Sequence, residues 1–235
     1  MSDRALLIDM GNSSLKWLWA ADGEIDEATF GRGNRADFQR HCRLSGGLSP
    51  DRVLLSSVAD QANTTAIIAD CESQWGACVR RLESLAVQAG IVNAYESPGA
   101  LGVDRWLAIV GAAHAHGMPV VIMDLGTATT LDAVDERGRH LGGLIFPGPA
   151  LMLESLDSAT AMQVPTALPD SEEANGPGLG PAQSTSGAIS EGVYAAQIGA
   201  LNQFLRHVSA RLPTDPQLVV TGGAAKGILH RLDQD

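Results

Sequence analysis

Short apolar runs, set off by turns bearing glycine or proline, alternate along this chain with longer stretches rich in Ala and Leu. "ALLID" (Ala5–Asp9) has the length and continuity of a buried strand. "SLKWLWA" (Ser14–Ala20) alternates more loosely and should pair with it, after which "ADGE" supplies a hairpin turn. "RVLLSSV" (Arg52–Val58) is a further strand, and Asn63–Leu85 is helical in part, followed by "GIVNAY" (Gly90–Tyr95). "VDRWLAIVGAAHAHG" (Val103–Gly117) reads as a helix that stops at its glycine. "PVVIMD", "TLDAVD" and "LGGLIF" are three successive strands, and "PALMLESLDSAT" is a helix. A helix over Ala188–Leu212, the strand "QLVVT" and the stretch "GGAAKGILHRL" close the pattern. The mixture is that of an α/β protein.

One segment departs from this rhythm. Val164–Gly187 is dense in Pro, Gly and acidic residues, which marks either a functional or mobile loop or a plain surface excursion. The 235 residues suffice for one large domain or two modest ones. A formal charge of −11 argues against a nucleic-acid partner but leaves room for a small anionic ligand in a locally positive pocket. Cys42, Cys71 and Cys78 lack paired metal spacing and are expected to be reduced thiols. Neither a basic leader nor an apolar run of membrane-spanning length is seen, so the expectation is a soluble, cytoplasmic protein with no membrane partner.

Two stretches resemble each other. "LLIDMGNSSLKWLWAADGE" and "VVIMDLGTATTLDAVDERGR" each end an apolar strand on Asp-x-Gly followed by small hydroxyl or amide residues. Asp9 and Asp124 are 115 positions apart, as are the turn glycines Gly23 and Gly138, which points to an internal duplication (124 − 9 = 138 − 23 = 115). Glycine after a strand lets backbone approach a ligand, and successive N–H groups of a tight turn form an anion nest to which Asn, Ser and Thr add donors. A carboxylate at each strand end can hold a hydrated cation that neutralises polyphosphate. The alternative is two hairpins whose aspartates merely cap turns.

This pairing resembles the acetate and sugar kinase, heat-shock-70 and actin superfamily. The resemblance implies two ribonuclease-H-like (actin-like ATPase) halves with a nucleotide cleft between them, here 1–117 and 118–235, joined near Gly117–Pro119. A third string, "YESPGALGVDRWLAIVG", puts a Pro-Gly turn and a second glycine before Asp104-Arg105 at a helix start. An aspartate there is ordinarily a cap. The whole string, however, is similar to the P-x-x-L-G-x-D-R motif of type III pantothenate kinases. "DMGNSSLKW", "DLGTATTLD" and "GGLIFPGPALM" resemble further motifs of that family, and "STSGAISEG" and "VVTGGAAKGI" do so more loosely. The ordered set covers most of the chain.

The resemblance implies transfer of the ATP γ-phosphoryl group to pantothenate, the first step towards coenzyme A. It implies Asp104 as general base, with Tyr95, Gly102, Val103, Arg105 and Thr185 around the substrate. Asp9, Gly11, Asn12, Ser13 and Lys16 would form one phosphate clasp, and Gly126 and Thr127 the other; Lys16 alone could equally be a solvated strand lysine. Mg²⁺ would arrive with ATP, reached through water by Asp9 or Asp124. The family's monovalent cation, K⁺ or NH₄⁺, would sit at Asp124. It further implies a homodimer whose second subunit partly closes the substrate pocket, with the Ala- and Gly-rich helix Val103–Gly117 as a dimer element. The six histidines, His41, His114, His116, His140, His207 and His230, read as solvated or interface residues rather than metal ligands. Ser184 departs from the family's Asn and Glu191 from its small residue. The rival readings are a transcriptional accessory protein, a polyphosphate phosphohydrolase on the same fold, and an actin-like filament protein.

Overall fold

In the computed structural model, which describes residues 3–44, 49–168 and 180–232, "ALLID" is the centre of a five-stranded sheet. Strand β1 (Arg4–Met10) pairs antiparallel with β2 (Leu15–Ala21), which pairs antiparallel with β3 (Glu24–Gly33). After helix α1 (Arg35–Leu44), β4 (Arg52–Ser57) joins the other side of β1 in parallel; helix α2 (Gln61–Trp75) and β5 (Val79–Arg81) complete the sheet. Register decides the core. Leu6 lies opposite Trp19 and Val53, and Ile8 opposite Trp17 and Leu55, so all six share one face. Phe38 and Cys42 of α1 and Ile67 and Cys71 of α2 cover that face. Phe38 meets the Trp17 indole edge-on at 5.3 Å. Asp9, on the other face, is left beside Lys16 and Ser56.

Three of these elements were not legible beforehand: β5, which lies in a stretch read only as partly helical, β3 and α1. β3 is an edge strand with exposed residues at most positions, so its sequence shows no apolar alternation. α1 buries Phe38 and Cys42 on a thin stripe, and its start is set by a local device. The Asn34 side chain accepts from the N–H groups of Ala36 and Asp37, while Asp37 accepts from the Asn34 N–H.

The remaining elements are the short hairpin β6 (Val87–Gln88) and β7 (Ile91–Val92), a 3₁₀ turn at Pro98–Ala100, and helix α3 (Val103–His116). There follow β8 (Val120–Leu125), β9 (Ala128–Val134), β10 (His140–Pro147), α4 (Pro149–Ala159), α5 (Thr185–Ser209), β11 (Gln217–Thr221) and α6 (Ala225–Leu232). β8 is the centre of a four-stranded sheet, antiparallel to β9 and parallel to β11, with β10 outside β9. Val121, Met123, Leu125, Leu131 and Ala133 pack under Tyr194, Ile198 and Leu201 of α5 and Ile228 of α6. Part of the Val164–Gly187 segment, residues 169–179, lies outside the described residues.

The two sheets repeat one plan. In each, an Asp-bearing central strand has a hairpin partner on one side and a parallel strand on the other: β3-β2-β1-β4 against β10-β9-β8-β11. The echo is not uniform, however. Asp9 lies opposite Lys16, but Asp124 lies opposite Thr130, so the second turn is one residue shorter and the spacing there is 114 (130 − 16 = 114). The β9–β10 turn is longer, and this restores the spacing of 115 at Gly138. By contacts the chain forms two units, Met1–Leu85 with Ser97–Leu107, and Ala86–Glu96 with Ala108–Asp235.

Candidate functional site

In the first unit, Gly11 donates its N–H to the Ser14 carbonyl at 3.1 Å, closing a tight turn that leaves Asn12 and Ser13 exposed. Asp9 stands at the base of that turn. Its carboxylate accepts from Ser56 Oγ at 3.2 Å and from Lys16 Nζ at 3.3 Å. Both members of the Lys16–Asp9 pair are close to half exposed, so the pair adds little stability and Lys16 is free to turn towards an anion. Ser56 is the residue the sequence reading missed here. Only the parallel pairing of β1 with β4 brings it to Asp9.

The same unit holds the start of α3. Ser84 Oγ donates to the Leu101 carbonyl, and Trp106 N–H donates to the Gly102 carbonyl at 2.9 Å, opening the helix. Val103, Arg105 and Trp106 are buried; between them Asp104 is exposed. Asp104 Oδ1 accepts from the Arg105 N–H at 2.7 Å, and a Cβ on Gly102 would sit 2.6 Å from that oxygen. Gly102 thus makes room for the carboxylate. The sequence-predicted residues Gly102, Val103, Asp104 and Arg105 form one rigid corner.

In the second unit, Gly126 N–H donates to the Ala128 carbonyl at 3.1 Å, and Gly126 and Thr127 are exposed at the turn. Thr129, two residues beyond Thr127, faces inward. It is fully buried and donates to Gln197 Oε1 at 2.7 Å, while Gln197 Nε2 donates to the Pro147 carbonyl. Asp124 pairs across β11 with Thr221, the counterpart of Ser56 opposite Asp9. Gly222 follows at φ +98°, and a Cβ there would lie 2.6 Å from Asp124 Oδ1. Gly148 donates to the Thr127 carbonyl at 2.9 Å, tying the turn to the start of α4. Beside it a cavity of about 580 Å³ is lined by Pro149, Tyr194, Gly223, Lys226 and Gly227. The glycine-rich string after β11 was the available signal for that cavity.

Tyr95 and Thr185 also lie in the second unit. Tyr95 is half-buried and its ring stacks on His140. Thr185 is exposed in the first turn of α5, which Ser184 caps by accepting from the Gly187 N–H at 3.1 Å. It borders a mainly apolar cavity of about 570 Å³ between α4 and α5 that also includes Met152, Met162 and Ile189. His140 differs from the other histidines in being fully buried. Among the described residues no group of three or more His, Cys, Asp or Glu side chains is placed to hold a metal. Single carboxylates such as Asp9 and Asp124 fit a cation held mainly by phosphate and water rather than a protein cage.

The family model for type III pantothenate kinases matches residues 5–207. The chain belongs to this family. A type III pantothenate kinase of Halorhodospira halophila is 36% identical, with 93% of this chain and 86% of that protein covered. One from Paraburkholderia phymatum is 37% identical over 99% of this chain and 89% of its own length. Type III pantothenate kinases are ATP-dependent phosphotransferases, and the chain is an enzyme of that class. Two solved structures share the actin-like ATPase fold. A Campylobacter jejuni protein described as a Baf family transcriptional activator superposes with a TM-score of 0.57 at 20% identity, covering 95% of this chain and 85% of its own. The activator of 2-hydroxyisocaproyl-CoA dehydratase from Clostridium difficile, with bound ADPNP, gives 0.51 at 12% identity, covering 97% and 82%. At such identities the likeness concerns fold alone. Among the described residues no helix is long and apolar enough to cross a membrane.

Proposed function

We propose that this protein transfers the γ-phosphoryl group of ATP to the primary hydroxyl of pantothenate, giving 4′-phosphopantothenate and ADP. The observation that carries the reading, beside family membership, is the exposed Asp104 carboxylate fixed at the start of α3 next to the buried Arg105. Asp104 takes the hydroxyl proton as the substrate oxygen forms its bond to the γ-phosphorus. The bond to the β–γ bridging oxygen breaks, and ADP leaves with that electron pair. Arg105, Tyr95, Thr185 and the Gly102–Val103 backbone bind pantothenate. The turn Gly11–Ser13 with Lys16, and the turn Gly126–Thr127, offer N–H and hydroxyl donors to phosphate oxygens. The cavity beside Gly223 and Lys226 takes the nucleoside, since it adjoins the turn that Gly148 ties to Thr127. Asp9 or Asp124 would hold, through water, the Mg²⁺ that arrives with ATP, and that ion would supply neutralisation of phosphate charge. Asp124 would hold the monovalent cation, K⁺ or NH₄⁺. The active form is a homodimer in the cytoplasm, and its duplicated halves are 1–117 and 118–235.

The deciding experiment follows ADP release with ATP, Mg²⁺ and K⁺, with and without pantothenate. Pantothenate-dependent ADP release, with 4′-phosphopantothenate identified by mass, is the expected result. ADP release independent of pantothenate would instead support a phosphohydrolase.

A further inference from the structure

The end of the β9–β10 hairpin does more than connect two strands. His140 is fully buried, and its Nε2 lies 2.9 Å from Asp132 Oδ1 across the hairpin. The other ring nitrogen, Nδ1, is buried with no hydrogen-bond partner. The Tyr95 ring lies beside the imidazole, nearly parallel at 11° with centroids 6.3 Å apart. A histidine placed for hydrogen bonding alone would not leave one nitrogen buried and unmatched.

The backbone around it is tied down from both sides. Val92 N–H donates to the Gly138 carbonyl at 2.8 Å, and Val92 bridges Arg139 in parallel. Gly138 has φ +77°, and a Cβ there would lie 2.5 Å from the Gly90 carbonyl oxygen, so only glycine lets the 90–95 segment approach this closely. Asp135 fixes the turn by accepting from the N–H groups of Arg137 and Arg139 and from Arg139 Nε. Tyr95 itself is oriented by its N–H, which donates to Asn93 Oδ1 at 3.0 Å.

We infer that His140, held by Asp132, is a positioning residue that sets the Tyr95 ring for pantothenate, with the Gly138 turn fixing the segment that carries it. The inference rests on the reading of Tyr95 as a pantothenate contact. An aromatic stack adds modest energy beyond simple burial. Losing it should therefore scatter the Tyr95 ring and raise the pantothenate KM without touching the phosphoryl step.

The test compares His140→Gln, which can still hydrogen-bond Asp132 but has no ring, with His140→Phe, which keeps a ring without the hydrogen bond. His140→Gln is expected to raise the pantothenate KM about three- to tenfold, with kcat and the ATP KM near wild type. His140→Phe, wherever it folds, should recover part of that loss. Tyr95→Ala should raise the pantothenate KM at least as much, and adding His140→Gln to it should bring no further rise. If Tyr95→Ala leaves the pantothenate KM unchanged, the reading of the site fails. If Tyr95→Ala raises it while His140→Gln does not, or if His140→Gln raises both substrates' KM equally, the positioning role is overturned.

Discussion

Asp104 shows how one side chain can satisfy two descriptions. Its carboxylate accepts from the Arg105 N–H in the first turn of α3, a local structural contact, and is exposed as a general base must be. Asp104→Asn separates the two, because the Asn side-chain oxygen can still accept from the Arg105 N–H but cannot take a proton. As the base, the variant should keep its thermal midpoint and ATP binding but lose about 10²–10⁴-fold in kcat. Near-normal turnover on saturating pantothenate would return the residue to a structural role. His41 makes a second prediction at this scale. It lies against Trp17 with the rings tilted at 52° and accepts from Trp19 Nε1 at 3.4 Å, and burial holds its pKa below the ordinary 6.5. The fold therefore favours neutral imidazole, so this contribution is complete above the unfolded value and declines as pH falls through 6.5 and then the lowered folded value. Urea midpoints measured from pH 8 to pH 5 should fall more for wild type than for His41→Gln. Parallel curves would refute the assignment.

At the level of elements, the glycines differ in what they do. Gly222 sits at φ +98° with a Cβ position 2.5 Å from the Leu125 N and 2.6 Å from Asp124 Oδ1. Gly222→Ala should cost about 1–3 kcal/mol through backbone strain and should weaken ATP binding by displacing Asp124. Gly199 lies exposed inside α5 with open space where a Cβ would go. Gly199→Ala should instead stabilise by about 0.5–1 kcal/mol and leave kinetics unchanged. Chemical denaturation of both variants checks the pair. The hairpin slip belongs here as well. Shortening the β8–β9 turn by one residue puts Thr130 opposite Asp124, where Lys16 stands opposite Asp9 in the first sheet. The proposed monovalent-cation site at Asp124 is testable directly. Replacing K⁺ with tetramethylammonium should raise the ATP KM, and full activity in that buffer would remove the cation from Asp124.

For the whole molecule, oligomeric state is the open consequence of the functional reading. On α3, Ile109, Ala112 and Ala113 are buried, whereas Gly111, His114 and Ala115 are exposed. Small residues on that open face allow a second helix to approach closely. Light scattering should give twice the mass of the 24.5 kDa chain. Gly111→Glu should shift it towards monomer while raising the pantothenate KM. A monomeric wild-type protein with full activity would dismiss the dimer.

The sequence by itself determined the central strands, because a buried strand must be a short apolar run, and the tight turns at their ends, because Asp-x-Gly followed by small residues lets the chain reverse there. It also determined the Gly102–Arg105 corner, whose residues are adjacent in the chain. What lay beyond it depended on partners far apart in sequence. Ser56 reaches Asp9 only through parallel pairing, Thr129 turns inward only because Gln197 lies above it, and His140 meets Tyr95 only because Gly138 admits Gly90. β3 and α1 were illegible for a related reason: an exposed edge and a thin apolar stripe take their structure from the sheet they join rather than from their own periodicity. Local pattern records what a residue must do for its own turn or strand, and only the packed chain decides which distant residue it will meet.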